Sequence, residues 1–491
     1  QFLADYGDYC KHDTFLCREI YKRMKPLMPI EELKAIDWTI ACYAVPTLRI
    51  NQGLAQQALK DHVDAKNAAL WKLGVTAEAL RSDDILAQML IQAGCAPPTK
   101  FSGKQKNPDG SPKEVWAFAK SDTDFMDLLE CGDPTVEALV EARLANKTSI
   151  VETRLSSFGE IGRRGALPYP LAYAAAQPTL RWQAYPAQKI NLQNLPRAKT
   201  GQRSPLRDAI EAPPGYKMLV IDLSQIELRV NAWLSGQESV LQLLRSGGDV
   251  YANMASRIYG YEITKAMGKS THVEQRFVGK TATLGCGYQC GGEKFTTMLR
   301  VAARRDGFKL ADESLDFGTA VVRAYRDENP MIVAFWKDCL RALEVMAQQG
   351  DTTLGPLTIR NGQIYMPDGM WMYYPNLRWY VDAETGKEGW VYDKKLGRGV
   401  AKKWIYGGLL DENLSQRIAR GVMRDGVLRI RQRYWAAGSV HDEAIVLIPE
   451  NEPEAQAMDF AVACMTQSPA WAPTLPLAAE GGIGRCYGDA K

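Results

Sequence analysis

The chain has 491 residues, 46% hydrophobic and 24% charged, with a formal net charge of +3. That length exceeds one ordinary domain and predicts two to four subdomains, while the globular composition excludes a disordered, collagen-like or coiled-coil chain. A charge so near zero argues for no polyanionic partner by itself, and ten cysteines without paired short spacings make no disulfide framework.

Reduced thiols fit a cytoplasmic compartment. No apolar run reaches the roughly 18–20 residues that span a bilayer, and no signal peptide is visible. The chain opens on Gln1, already inside patterned sequence, which points to a fragment of a longer chain. From about 30 to 155 the pattern is mostly helical, as in EELKAIDWTIACYAV, broken by a loop-like insert, FSGKQKNPDGSPKEVWAF. Residues 165–215 turn Pro-rich and irregular and finish in EAPPGYK, whose ProProGly marks a boundary. MLVIDLSQIELRV (218–230) follows, an apolar strand-like run ending in Asp222 and then an amphipathic stretch. Helical segments fill about 237–350. Short strand-like runs occupy 354–380, with turns at Asn361-Gly362 and Asp368-Gly369. A helix over roughly 411–435 leads into SVHDEAIVLIP, another apolar run. Positive charge gathers beside aromatics in RIRQRYW (429–435) and KKLGRGVAKKW (394–404). The reading is α+β and helix-rich, without solenoid repeats.

Asp222 and the pair Asp442-Glu443 sit in like contexts, each beside an apolar strand-like run. If two strands brought Asp222 and Asp442 together, their charges would repel unless a cation lay between them. Hard oxygen ligands with open water positions suit Mg²⁺, held by one or two carboxylates plus substrate phosphates. Blander readings stand beside this one. Ser224-Gln-Ile-Glu227 fits a capping box, Asp222 could be a turn residue, and His441-Asp442 could be a hairpin tip.

Between these stretches lies HVEQRFVGKTATLGCGYQCGG (272–292), where Arg276, Lys280, Leu284 and Tyr288 recur every four residues. On a helix they form one slowly drifting stripe. Two cations and an aromatic suit a triphosphate with a base nearby, although a solvated basic face explains the stripe alone.

Together the three stretches resemble family A DNA polymerases. DLSQIELR is similar to the first palm motif, RFVGKTATLGCGYQCG to the fingers-helix motif and VHDE to the third motif. NLQNLPR (191–197), ENLSQRIAR (412–420) and the closing EGGIGRCYGDAK add to the likeness, the latter two with a phage-type look. The resemblance implies a right-hand fold: a thumb over 31–164, a palm with an antiparallel sheet over 165–245 and 405–491, and fingers with an insert over 246–404. Residues 1–30 would be the remnant of a 3′–5′ exonuclease domain, since Tyr9 and Asp13 fit its last motif, Tyr-x3-Asp. A lone Asp13 cannot assemble a hydrolytic site, so no exonuclease activity is expected.

By the same resemblance Asp222, the Leu223 carbonyl and Asp442 would bind two Mg²⁺ ions, with Glu443 assisting. Arg276 and Lys280 would hold the incoming dNTP, and Lys280 would also protonate the departing pyrophosphate. Leu284, Tyr288, Tyr251 and His441 would face the nucleotide, and Glu227 would exclude a ribose 2′-OH. Arg181, Gln193, Asn194 and Gln416 would contact the minor groove of primer-template DNA. The implied protein is a monomer away from membranes, with a processivity factor as a further partner. Three departures mark this chain: Leu223 where Tyr is usual, Leu284 where Phe or Tyr is usual, and TLRW where Thr-Gly-Arg is common. A single-subunit RNA polymerase is the nearest rival, against which SQIE argues. A catalytically silent DNA-binding replication factor is the rival from another class.

Overall fold

The structure, a computed structural model, describes residues 2–120, 122–147, 149–185, 190–196, 203–397 and 399–490. It divides into two compact units, the first formed by Gln1–Leu48, Pro168–Asn194 and Ala212–Lys491, the second by Arg49–Leu167 and Leu195–Glu211. Among the described residues no helix is long and apolar enough to cross a membrane.

The second unit is mostly helical. Its longest helix, Gln52–Leu73, starts where the Asn51 side chain accepts the Leu54 N–H at 2.9 Å. It ends at Gly74, whose φ of 62° is the left-handed conformation a helix terminus favours in glycine. Its core gathers Leu80, Leu86, Leu90, Phe118, Phe125 and Val140. The insert expected as a loop is instead a β-hairpin, Thr99–Lys106 against Pro112–Trp116. Its open end is anchored by Trp116 stacked 6.0 Å from Phe118, while the Asn-Pro-Asp-Gly signals lie at the tip.

The first unit begins with α1 (Phe2–Met24), exposed along nearly its whole length, and α2 (Ile30–Ala44). The Pro-rich stretch expected to be irregular carries two paired strands, β1 (Leu171–Ala176) and β2 (Arg181–Ala184). Beyond the ProProGly boundary come β3 (Tyr216–Leu223), α3 (Ile226–Ser235), α4 (Val250–Tyr259) and α5 (Val273–Gly285). A four-stranded antiparallel sheet joins β4 (Thr352–Leu354), β5 (Leu357–Arg360), β6 (Gln363–Tyr365) and β7 (Trp371–Tyr373) in sequential order. Its β5–β6 turn is Asn361-Gly362, both at positive φ (49° and 70°), as a two-residue hairpin requires. A three-stranded sheet follows, of β8 (Arg378–Val381), β9 (Glu388–Leu396) and β10 (Gly399–Ile405).

Helix α6 (Gly407–Ile430) then leads into β11 (Trp435–Val440), β12 (Glu443–Pro449) and, near the C-terminus, β13 (Ala479–Gly484). These build the sheet that positions the site, in the order β11-β12-β3-β13, with every pair antiparallel. Strand β3 is interior, and Met218, Leu219, Val220 and Ile221 are all buried. An interior strand covered on both faces needs apolar residues at every position, which is why this stretch shows no alternation.

Candidate active site

The carboxylates meet through sheet register. Asp222, one residue from the end of β3, lies opposite Glu443 on β12 and opposite Glu480 on β13. Residues directly opposite in antiparallel strands share a face, so the three side chains form a row across the sheet. Asp442 is the adjoining residue in the two-residue turn between β11 and β12, and the Leu223 N–H donates to its carbonyl at 3.1 Å. His441 therefore is a hairpin-tip residue, at φ 55°, and Asp442 is brought beside Asp222. The hairpin-tip reading holds for His441-Asp442. Glu443 is buried and accepts from the Tyr487 hydroxyl at 2.5 Å, which ties the start of β12 to the C-terminal segment.

A narrow cavity opens beside this turn, lined by Arg181, Glu227, Gln416, Arg420, His441 and Asp442 among others. The Arg181 guanidinium pairs with Glu227 at 3.3 Å. Burial raises the Glu227 pKa, Arg181 opposes that rise, and Asp442 and Glu412 add to it. The Tyr288 hydroxyl is pushed well above its ordinary pKa by burial and by nearby Glu227, so Tyr288 belongs to the same neighbourhood. Gln416 donates to Glu412 at 3.1 Å. Gln193 is buried; its amide donates to the Ser439 carbonyl and accepts the His441 N–H at 3.1 Å. It thus braces the turn that presents Asp442. Asn194 beside it is exposed, and Arg197 of the same motif lies outside the described residues.

Helix α5 carries Arg276, Lys280 and Leu284, but it ends at Gly285. The expected stripe is therefore three residues long, with Tyr288 in the turn that follows, because the Gly285-Cys286-Gly287 run does not sustain the helix. Lys280 and Leu284 are exposed. Arg276 is half-buried: its Nε donates to Asp249 at 2.8 Å and its guanidinium lies 5.3 Å from the Tyr251 ring. Asp249 resists protonation because Arg276 and the Tyr251 and Ala252 N–H groups outweigh its burial. Tyr251, whose pKa burial raises, interacts with Gln225 and lies near Glu480, so this arginine cluster adjoins the carboxylate row. Gly279 explains the close approach of α5 and α4, since a Cβ there would stand 2.3 Å from the Tyr251 carbonyl oxygen.

The capping box expected at Ser224–Glu227 does not form. Gln225 takes the left-handed conformation (φ 49°), α3 starts at Ile226, and no side chain caps it. Glu227 consequently faces the cavity and Arg181 instead of the helix start. Tyr9 and Asp13 lie exposed on α1, away from the carboxylates in the chain and without buried neighbours there. Sequence reasoning missed Asp249, which its Gly-Gly-Asp helix-start pattern could have revealed. It also missed Arg420 and Trp182, whose guanidinium and ring lie 4.4 Å apart beneath the cavity, and no local signal marks them.

Asp222, near the end of β3, and Asp442, in the turn that adjoins it, offer hard oxygen donors of the type Mg²⁺ accepts; among the described residues no cluster of three or more His, Cys, Asp or Glu could hold a metal unaided. A pair of carboxylates open to further oxygens is the arrangement Mg²⁺ uses when water and phosphates complete its shell.

Residues 185–347 match the model for DNA polymerase family A. The DNA polymerase of Bacillus phage SP02 is 30% identical over 297 residues, 57% of this chain and 43% of that one. The thermostable DNA polymerase I of Thermus thermophilus is 25% identical over 307 residues, 61% of this chain and 30% of that one. The matches thus cover less than half the length of either relative. A solved structure of the polymerase domain of Pol1 from M. smegmatis, in complex with DNA primer-template and dNTP, matches with a TM-score of 0.60 at 19% identity. That match covers 90% of this chain and 68% of the solved one, and its likeness is one of fold.

Proposed function

From the match of residues 185–347 to the model for DNA polymerase family A, we propose that this chain is a member of that family and a template-directed DNA polymerase. It adds dNTPs to a primer 3′-OH with release of pyrophosphate, in replication of the phage type. The observation that carries this reading is the register that sets Asp442 beside Asp222 at one end of the β11-β12-β3-β13 sheet. The central sheet and α6 are then the palm, α4, α5 and the helices after them the fingers, and the helical 31–164 region the thumb.

Asp222 and Asp442, with the Leu223 carbonyl, are the groups that would hold two Mg²⁺, and the chemistry such ions would supply there is acidification of the primer hydroxyl and neutralisation of triphosphate charge. The rest of the work is positioning. Arg276 and Lys280 bind the triphosphate, Arg276 held in aim by Asp249, and Lys280 Nζ delivers a proton to pyrophosphate. Tyr288 and Tyr251 flank the base and sugar, with Leu284 on the open side of α5. Glu227 stands against the 2′ position of the sugar, its carboxylate fixed by Arg181. Arg181, Asn194 and Gln416 meet the minor-groove edge, which reports pair shape more than sequence. Gln193 acts one step back, through the His441-Asp442 turn, and Glu443 through its strand.

Primer extension with dNTPs and with rNTPs, with and without a chelator, tests this reading. Chelator-sensitive extension by dNTPs, with ribonucleotide use rising in Glu227→Ala, is the expected result. Equal use of both sugars by the unmodified chain would favour the RNA polymerase rival. Duplex binding without extension would favour the silent factor.

A further inference from the structure

Beside the three-stranded sheet β8-β9-β10 lies a cleft lined by Leu180, Trp371, Tyr373, Tyr392, Lys394 and Lys395 among others. It falls outside residues 185–347 and shares no residue with the carboxylate site. Its walls combine aromatic rings with lysines, and Tyr373 is 55% exposed. Residues 371–405 hold seven Lys and Arg against four Asp and Glu, an excess equal to that of the entire chain. Several of the local acids are already engaged. Asp393 pairs with Arg378 at 3.1 Å, and Asp382 accepts the Thr385 N–H in its own turn at 2.9 Å. Lys387 and Lys402 lie over the Trp404 and Tyr380 rings. Lys394 and Lys395 make no ion pair among the described residues. They remain available to an anionic ligand.

We propose that this cleft binds single-stranded DNA, with Tyr373 and Trp371 as stacking surfaces and Lys394 and Lys395 as phosphate contacts. The choice of nucleic acid rests on the polymerase reading; the choice of a single strand rests on the rings. A duplex keeps its base faces stacked inside, whereas an unpaired strand offers them to an aromatic surface and its phosphates to neighbouring cations. The cleft therefore grips unpaired DNA separately from the site where a primer terminus is held.

The test uses the whole chain and a fluorescein-labelled oligothymidylate, with blunt hairpin duplex in excess to occupy the carboxylate site. Binding is read by anisotropy across a salt series. Tyr373→Ala is expected to weaken oligonucleotide binding about tenfold. The double variant Lys394→Ala/Lys395→Ala should shrink the slope of log K against log salt by about 1.4, the single-strand value for two phosphate contacts. Affinity for the blunt hairpin, and extension into an overhang of one nucleotide, should stay unchanged in both variants. Unchanged oligonucleotide binding, or equal weakening on oligonucleotide and hairpin, overturns the proposal, and the first result would turn attention to a peptide as occupant. If these losses appear in a chain that extends no primer, the cleft stands and the polymerase reading falls. If the chain extends primers while oligonucleotide binding ignores both variants, the cleft alone falls.

Discussion

Helices α6 and α5 both carry cations at helical spacing, and they use them in opposite ways. In α6, Arg417, Arg420 and Arg424 are 0%, 4% and 2% exposed. Arg420 and Arg424 converge on Glu32 of α2, and Arg417 and Arg424 converge on Asp368, the Arg417 contact at 3.0 Å. In α5, Lys280 is exposed and Arg276 is half-buried with one carboxylate partner. A desolvated cation without a counter-charge costs several kcal/mol, so the α6 arginines are committed to the fold. A hydrated lysine carries no such penalty and stays free to meet a triphosphate. The kind of residue does not separate structural charge from functional charge; its partners do.

Variants that exchange the two behaviours would break this comparison. Glu32→Ala should cost about 3–5 kcal/mol, because it leaves the buried Arg420 guanidinium without its carboxylate and takes one of three from Arg424. Urea denaturation measures it, and the active fraction should retain its rate per molecule. Lys280→Ala should do the reverse, lowering the extension rate about a hundredfold, roughly 3 kcal/mol at the transition state, with an unchanged unfolding midpoint. A loss of stability in Lys280→Ala, or of rate per folded molecule in Glu32→Ala, would erase the distinction.

Acidity sharpens it. Burial would raise the Glu32 pKa, but Arg420 and Arg424 with the Tyr173 hydroxyl hold it at about 2, below its ordinary 4.5. A depressed folded-state pKa stabilises fully above the unfolded value and loses that contribution as pH falls towards the folded value. Between pH 5 and pH 2.5, wild type should therefore lose about 2 kcal/mol more stability than Glu32→Gln. Parallel stability curves for the two would contradict the assignment. The smallest effect is expected at Leu284, exposed on α5. Leu284→Phe, which would add a ring face to the proposed sugar pocket, should raise the incorporation rate a few-fold. An unchanged rate with unchanged dideoxynucleotide discrimination would remove Leu284 from the pocket.

Local chemistry made some of this legible beforehand. The Asn361-Gly362 turn announces itself because few other residues accept positive φ at both positions. The Met218–Ile221 run reads as a strand because it is apolar, β-branched in part and closed by a carboxylate. What stayed hidden was set by distant partners. Nothing near Arg420 in sequence says that its counter-ion lies 388 residues away. Ser224–Glu227 matches a cap by composition, yet one left-handed residue, Gln225, moves the helix start and redirects Glu227 to Arg181. Tyr288 kept its four-residue interval but lost its helix to two glycines. The β1–β2 pair inside a Pro-rich stretch was invisible because its support comes from elsewhere: Trp182 donates to Thr39 of α2 at 2.8 Å.

Single-turnover extension by Asp222→Ala and Asp442→Ala, read beside duplex affinity by anisotropy, addresses the shared carboxylate site most directly. The account predicts that either variant extends at least about a thousandfold more slowly while holding primer-template nearly as tightly as wild type. Full-rate extension by either one would mean that the two side chains do not work as a pair, and the polymerase mechanism proposed for this sheet would be wrong.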